Sequence, residues 1–298
     1  MTKEFDLIVH GATGYTGRII CEYLAGIAHA KDVSWAISGR SEAKLTALAK
    51  RLGPQNPPEV IVAHSLQADS MADLVPRTQV IIATVGPYLL FGEELVAACA
   101  KAGTDYVDLA GEASWIRSMI DKYGADAASS GARIVHSCGF DSIPTDVGVY
   151  KLQSIALDKL GRPFSRVKGR VEELIGEPSG GTIHSILASL KASAKDEKLA
   201  ALLRNPYALC PGFQGPKQPK AHLPVFDSEF DSWNAAFVMA EINTKTLHRS
   251  NSLLSHRYGT DFLYDEMLVT GPGEAGKAAA EKASDFSSMF SPDEIGRA

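Results

Sequence analysis

The segment that most constrains this chain lies near its start: Val9-His10-Gly11-Ala12-Thr13-Gly14-Tyr15-Thr16-Gly17-Arg18, three glycines spaced three residues apart. Before it, Phe5 to Val9 reads as a buried strand. After it, Ile20, Tyr23, Leu24 and Ile27 recur at helical spacing between Arg18 and Ala30. A strand that passes through such a loop into a helix brings backbone N–H groups and the positive end of a helix to one point. That arrangement suits a pyrophosphate. In it Gly11 allows the sharp turn off the strand, Gly14 lets the backbone approach the phosphates, and Gly17 lets the helix pack closely on the sheet.

The alternation begun there continues. Val33–Ile37, Val60–Ala63, Val80–Val85, Tyr106–Leu109 and Arg133–Ser137 read as further strands. Helices are expected after Ser41 (through Leu45, Leu48 and Leu52), from about Ser70, from Glu93 to a C-cap at Gly103, and over Trp115–Ser129. Such a rhythm predicts an α/β fold: an N-terminal Rossmann-type doubly wound parallel sheet.

Beyond Asp146 the pattern changes. A helix is expected over Thr145–Leu160, and Phe164–Ile175 alternates like a strand of a half-exposed antiparallel sheet. A second helix is expected over Ser179–Leu203, followed by a proline-rich loop from Asn205 to Pro224. Asn234–Asn243 and Thr260–Thr270 read as strands, and the alanine-rich stretch from Glu274 as a helix. At about 150 residues per domain, 298 residues make two. We expect a cofactor domain over 1–150 and an α+β substrate and dimerisation domain over 151–298, the boundary falling near Asp146 to Gly161.

The cofactor's identity is read at the end of the second strand. A carboxylate there accepts the ribose 2′-hydroxyl of NAD, whereas the 2′-phosphate of NADP needs cations and donors. The strand ends Ile37-Ser38-Gly39-Arg40-Ser41, with no acid before Glu42. Arg40 can stack on adenine and pair with the phosphate, and Ser41 can donate while capping the next helix. The expected cofactor is therefore NADP(H). The loop Val85-Gly86-Pro87-Tyr88 should pass the nicotinamide half, with Tyr88 available to stack, to bond a ribose or to donate a proton, or serving only as a connection. Asp108, Glu112 and Asp141 also follow strand ends; they suit acid–base chemistry or helix capping alike, and Thr145 suits capping. His136 and Cys138 have no visible third orienting group, so a buried histidine and a core cysteine are expected.

Composition removes several function classes. With 30 Lys and Arg against 35 Asp and Glu, the chain lacks the basic field that nucleic acid requires. Cys21, Cys99, Cys138 and Cys210 are scattered without a CxxC pair, which suggests neither zinc nor a disulfide framework. The start resembles no secretory signal, and the longest apolar run, Val80–Leu90, is too short to span a bilayer and is broken by Gly86-Pro87. A cytoplasmic protein is expected, with peripheral contact at a membrane or lipid surface left open.

These residues together resemble the saccharopine dehydrogenase-like oxidoreductases, especially the trans-acting enoyl reductase branch. The resemblance rests on Gly11–Gly17, Ser38–Ser41, Thr84–Tyr88, Tyr106–Glu112, His136–Pro144 and Ser179–Thr182, then on Phe237–Ala240, Ile242–Thr244 and Arg249–Asn251. It implies an NADP-binding domain, a second domain with the substrate cleft and subunit contacts, and reduction of a carbon–carbon double bond on a polyketide-type lipid chain. Compared with family members, the chain is expected to be C-terminally shortened. The implied partners are a small-molecule or lipid-like substrate and a second subunit in a homodimer. The cofactor residues are then Gly11, Thr13, Gly14, Tyr15, Thr16, Gly17, Arg40, Ser41 and Val85 to Tyr88 (Val85, Gly86, Pro87, Tyr88), and the candidates for proton delivery are Tyr88 and Asp141. The alternatives are a non-catalytic NADP-binding scaffold at lipid surfaces and an amino-acid dehydrogenase of the saccharopine type.

Overall fold

A computed structural model describes residues 3–28, 32–53, 57–175, 196–221 and 223–288. They fall into two compact units, the first running to Gly139 and the second taking up from Phe140, a few residues before the expected boundary.

In the first unit, strands β1 (Phe5–His10), β2 (Trp35–Gly39), β3 (Glu59–Val62), β4 (Thr78–Ala83), β5 (Asp105–Asp108) and β6 (Ile134–Val135) form a sheet ordered β3-β2-β1-β4-β5-β6. Every pairing is parallel. Its helices are α1 (Tyr15–Ile27), α2 (Glu42–Leu52), α3 (Ala68–Leu74), the single turn α4 (Tyr88–Phe91), α5 (Glu93–Ala102) and α6 (Ala113–Ser130). Strand order reverses between β1 and β4, so a crevice opens at the carboxyl ends of these two strands.

The core explains why these segments adopt these forms. Val9 and Ile37 from the central strands meet Cys21 and Leu24 of α1 and Leu45 and Leu48 of α2, all buried. The 3.6-residue spacing on each helix delivers those side chains to one face. Cutting one back, as in Leu45→Ala, costs about 2–5 kcal/mol. Gly103 ends α5 in the left-handed conformation expected of it, at φ 65°.

The second unit holds α7 (Ile143–Leu160), β7 (Arg166–Val171), α8 (Glu197–Arg204), β8 (Val225–Asp227), β9 (Ser232–Ala236), α9 (Ala240–Leu253), β10 (Leu263–Gly271) and α10 (Gly273–Ser288). The sheet order is β7-β10-β9-β8. Two expectations are corrected here. β7 pairs parallel with β10, so this sheet is mixed rather than antiparallel. The strand expected over Asn234–Asn243 stops at Ala236, and α9 follows, burying Ile242, Leu247 and Asn251 along one side. Most of the helix expected over Ser179–Leu203 lies outside the described residues; the described part is helical from Glu197.

Buried polar groups tie the unit together. Glu266 of β10 accepts from Thr145 Oγ1 (2.6 Å) and Asn243 Nδ2 (2.8 Å), and Ser142 Oγ donates to Asn243 Oδ1 (2.7 Å). Arg170 bridges Asp227 (3.0 Å) and Asp265 (2.9 Å). His248 is packed between Tyr207 and Phe262, and burial brings its pKa down to about 4.

Candidate cofactor and active site

The glycine loop fits a dinucleotide because it carries no side chains where the backbone must close. Gly11 has φ 90°, a conformation that suits glycine, and a Cβ on it would lie 2.7 Å from both Thr84 Oγ1 and Val85 Cγ2. A Cβ on Gly17 would run into the Gly11 carbonyl. The loop is held at both strand ends: the amides of Gly11 and Ala12 donate to the Ser38 carbonyl (2.9 and 3.2 Å), and the Thr84 amide donates to the His10 carbonyl (2.9 Å). Helix α1 starts directly after Gly14, without an acidic residue in its first turn or a side-chain cap. Among the described residues the amides of Thr13, Tyr15 and Thr16 have no acceptor, while Tyr15 turns its ring out, 67% exposed. Open amides at a helix start constitute an anion site.

His10 braces this loop from beneath. Its ring is buried, with Nδ1 3.2 Å from Ser38 Oγ and Nε2 2.9 Å from Ser65 Oγ. It thereby joins the ends of β1 and β2 to the residues after β3. Burial lowers its pKa to about 4, so the ring is neutral at physiological pH. The sequence offered no sign of this brace, because Ser65 is remote in the chain.

At the end of β2, Arg40 is exposed and has no ion pair among the described residues. Ser41 occupies the N-cap of α2, yet its hydroxyl makes no capping bond, contrary to the expected cap. A guanidinium and a hydroxyl therefore stand free where a 2′-phosphate would lie, with no carboxylate ahead of Glu42.

The loop after β4 is anchored inward. Val85 packs over Gly11, the Gly86–Pro87 bond is cis, and Pro87 is buried. Tyr88 is only 6% exposed; its hydroxyl donates to the Ala83 carbonyl (2.9 Å) and accepts from the Leu109 amide (3.1 Å). Desolvation, with the Asp108 charge nearby, pushes its phenol well above the ordinary range. Both bonding places of the hydroxyl are thus filled within the chain, and Tyr88 anchors the loop to the end of β4 and to the residue after β5. Glu112 also departs from expectation. It precedes α6 without capping it, and its buried carboxylate accepts the amides of Tyr88 (2.9 Å) and Leu89 (2.7 Å) instead.

Sequence reasoning missed the pairing of Asp108 with His136. Tyr106 and Val107 of β5 stand beside Ile134 and Val135 of β6, and one residue on, Asp108 Oδ2 accepts from His136 Nδ1 at 2.6 Å. The parallel register was the available signal, since both residues sit one step beyond paired positions of adjacent strands. In the second unit neighbouring atoms desolvate the Asp141 carboxyl and hold it above the usual range, while its backbone carbonyl accepts from Asn243. Ser142, not Asp141, takes the N-cap position of α7, and Thr145 donates to Glu266 rather than capping.

Fold and site define the first unit as an NADP(H)-binding domain of the oxidoreductase type, and residues 7–135 match the family described as the saccharopine dehydrogenase NADP binding domain. A Mycobacterium tuberculosis protein carrying the name trans-acting enoyl reductase is 39% identical over 279 residues, covering 90% of this chain and 66% of the relative. A trans-acting enoyl reductase of Mycobacterium bovis is 34% identical over 296 residues, covering 92% of this chain and 67% of the relative. Apo saccharopine dehydrogenase (L-Glu forming) from Saccharomyces cerevisiae superposes with a TM-score of 0.43 at 18% identity, over 56% of this chain and 34% of that one. The chain belongs to the trans-acting enoyl reductase family. It spans about two thirds of the length of the curated relatives it matches.

Proposed function

We propose that this chain is an NADPH-dependent enoyl reductase that reduces a carbon–carbon double bond of a lipid or polyketide-type substrate. The observation that carries this reading is the cofactor site itself: amides at the start of α1 that are open among the described residues, together with an Arg40 that has no ion pair among them, in a chain of this family. Bound NADPH supplies the hydride. The chain's own residues provide position and charge. The amides of Thr13, Tyr15 and Thr16 hold the diphosphate, Arg40 and Ser41 receive the 2′-phosphate, and Val85 to Tyr88, clamped by Glu112, border the nicotinamide side.

A homodimer and peripheral contact with a lipid surface belong to the same reading. Among the described residues no helix is long and apolar enough to cross a membrane. Incubation with NADPH and a panel of enoyl and carbonyl lipids, followed by absorbance, tests the activity. Substrate-dependent oxidation with enoyl lipids is the expected result. Tight NADPH binding without oxidation across the panel would favour a non-catalytic cofactor-binding protein instead.

A further inference from the structure

Proton delivery is the part of the proposed reduction that the cofactor site does not supply. We propose that His136, oriented by Asp108, is the acid that protonates the reduced substrate; this rests on the enoyl reductase reading.

Asp108 is fixed before it meets the histidine. Its Oδ1 accepts the amides of Ala110 (3.0 Å) and Ser137 (2.9 Å), leaving Oδ2 for His136 Nδ1. A carboxylate only accepts, so Nδ1 carries a proton in this pair, and Nε2 is the ring atom that exchanges one. Nε2 has no hydrogen-bond partner among the described residues, and the side chain retains 8% exposure. His10, by contrast, uses both ring nitrogens.

The pair also lies on the right edge of the sheet. Asp108 ends β5 and His136 follows β6, at the carboxyl ends of the strands, where doubly wound sheets bind their ligands. An aromatic run links it to the nicotinamide-side loop: Tyr88 and Trp115 have ring centroids 5.4 Å apart, and Trp115 and His136 5.1 Å apart, edge to face. The titratable groups that face the ring are Asp108 and Tyr106 from β5, with Cys138 on its own loop; Tyr88 lies beyond, on the far side of Trp115, with Glu112 at its amide. Trp115 Nε1 is buried there without a hydrogen-bond partner among the described residues.

In the step proposed, a hydride from NADPH bonds to the β-carbon of the α,β-unsaturated acyl group. The π pair moves onto the α-carbon and carbonyl as an enolate. The Nε2–H bond of imidazolium His136 then breaks, its proton bonds to the α-carbon, and the electron pair stays on nitrogen. NADPH becomes NADP⁺ and the acyl chain gains two electrons and two hydrogens. His136 is left neutral, with Nδ1–H still on Asp108, and recovers its proton from solvent through Nε2.

Full-length wild type, His136→Asn, Asp108→Asn and Asp141→Asn are compared by NADPH titration, by imidazole ¹⁵N shifts against pH, and by kcat against pH with an enoyl lipid. In H136N the introduced side-chain amide still reaches Asp108 but has nothing in place of Nε2. We expect H136N to bind NADPH within about twofold of wild type and to lose roughly 100-fold or more in kcat. In wild type the ¹⁵N shifts should place a proton on Nδ1, facing Asp108; in D108N that preference is lost and the alkaline limb of kcat moves to lower pH. Wild-type kcat and pH profile in H136N, a wild-type ring with its proton on Nε2 and none on Nδ1, or loss of the alkaline limb in D141N rather than H136N would each overturn the assignment alone. NADPH binding without oxidation by wild type would overturn the reductase reading and this role together.

Discussion

The Glu112 carboxylate accepts the backbone amide of Tyr88 at 2.9 Å, and with it that of Leu89 at 2.7 Å, so a residue at the head of α6 sets the loop that follows β4. Removing this acceptor leaves the buried Tyr88 amide and the part-buried Leu89 amide unpaired. Glu112→Ala is expected to lower stability by about 1–3 kcal/mol and to weaken NADPH binding, read by thermal denaturation and fluorescence titration. Glu112→Gln, which retains one acceptor oxygen, should fall between. An alanine variant with wild-type affinity and midpoint would show that the clamp does not position the loop.

At Gly17 a methyl group would press on the Gly11 carbonyl and come within 2.9 Å of Thr84 Oγ1. Gly17→Ala should cost about 1–3 kcal/mol of stability through overpacking and reduce NADPH affinity roughly tenfold or more. Gly26, where an added methyl group would meet nothing within 4 Å, provides the control, and Gly26→Ala should leave affinity unchanged.

Among the described residues Arg40 has no ion pair and the Ser41 hydroxyl makes no capping bond at the end of β2. NADPH is expected to bind at least about tenfold more tightly than NADH, a difference of about 1.4 kcal/mol. Arg40→Ala should erase most of that gap by weakening NADPH, with NADH affinity little changed. Equal affinities of the wild type for both cofactors would contradict NADP specificity at this site.

Two buried histidines make stability depend on acid. His10 and His248 charge near pH 6.5 when unfolded but only near 4 in the fold. Between those values protons bind the unfolded chain preferentially, so stability falls as the pH drops through this window and does not change above it. At pH 5 each residue should cost about 2 kcal/mol relative to pH 7. Urea denaturation at the two pH values measures the loss, and His10→Asn should remove one share of the slope.

The first unit was largely legible because its elements are determined locally. The Gly11–Gly17 loop, the apolar spacing of Leu45 and Leu48, and the left-handed Gly103 each follow from residues close in the chain. What escaped depends on distant partners. The parallel placement of β7 beside β10 joins segments nearly a hundred residues apart, and alternation along Val167, Gly169 and Val171 is the same for either direction. The Asn234–Asn243 run reads as strand by its first half, while Ile242, Leu247 and Asn251 turn it into a helix against a core that the local sequence does not show. The partners of Glu112 and His136 escaped for the same reason: each is found across an adjacent strand end.

Gly11 lies beneath Thr84 and Val85 while its neighbour His10 receives the Thr84 amide, so the Gly11–Gly17 loop and the Val85–Tyr88 loop share one seam. They must therefore vary as a matched pair. Grafting the first loop from a relative onto this chain without the second would set side chains against a surface shaped for others. Redesign of cofactor preference is better confined to Arg40 and Ser41, which lie outside the seam.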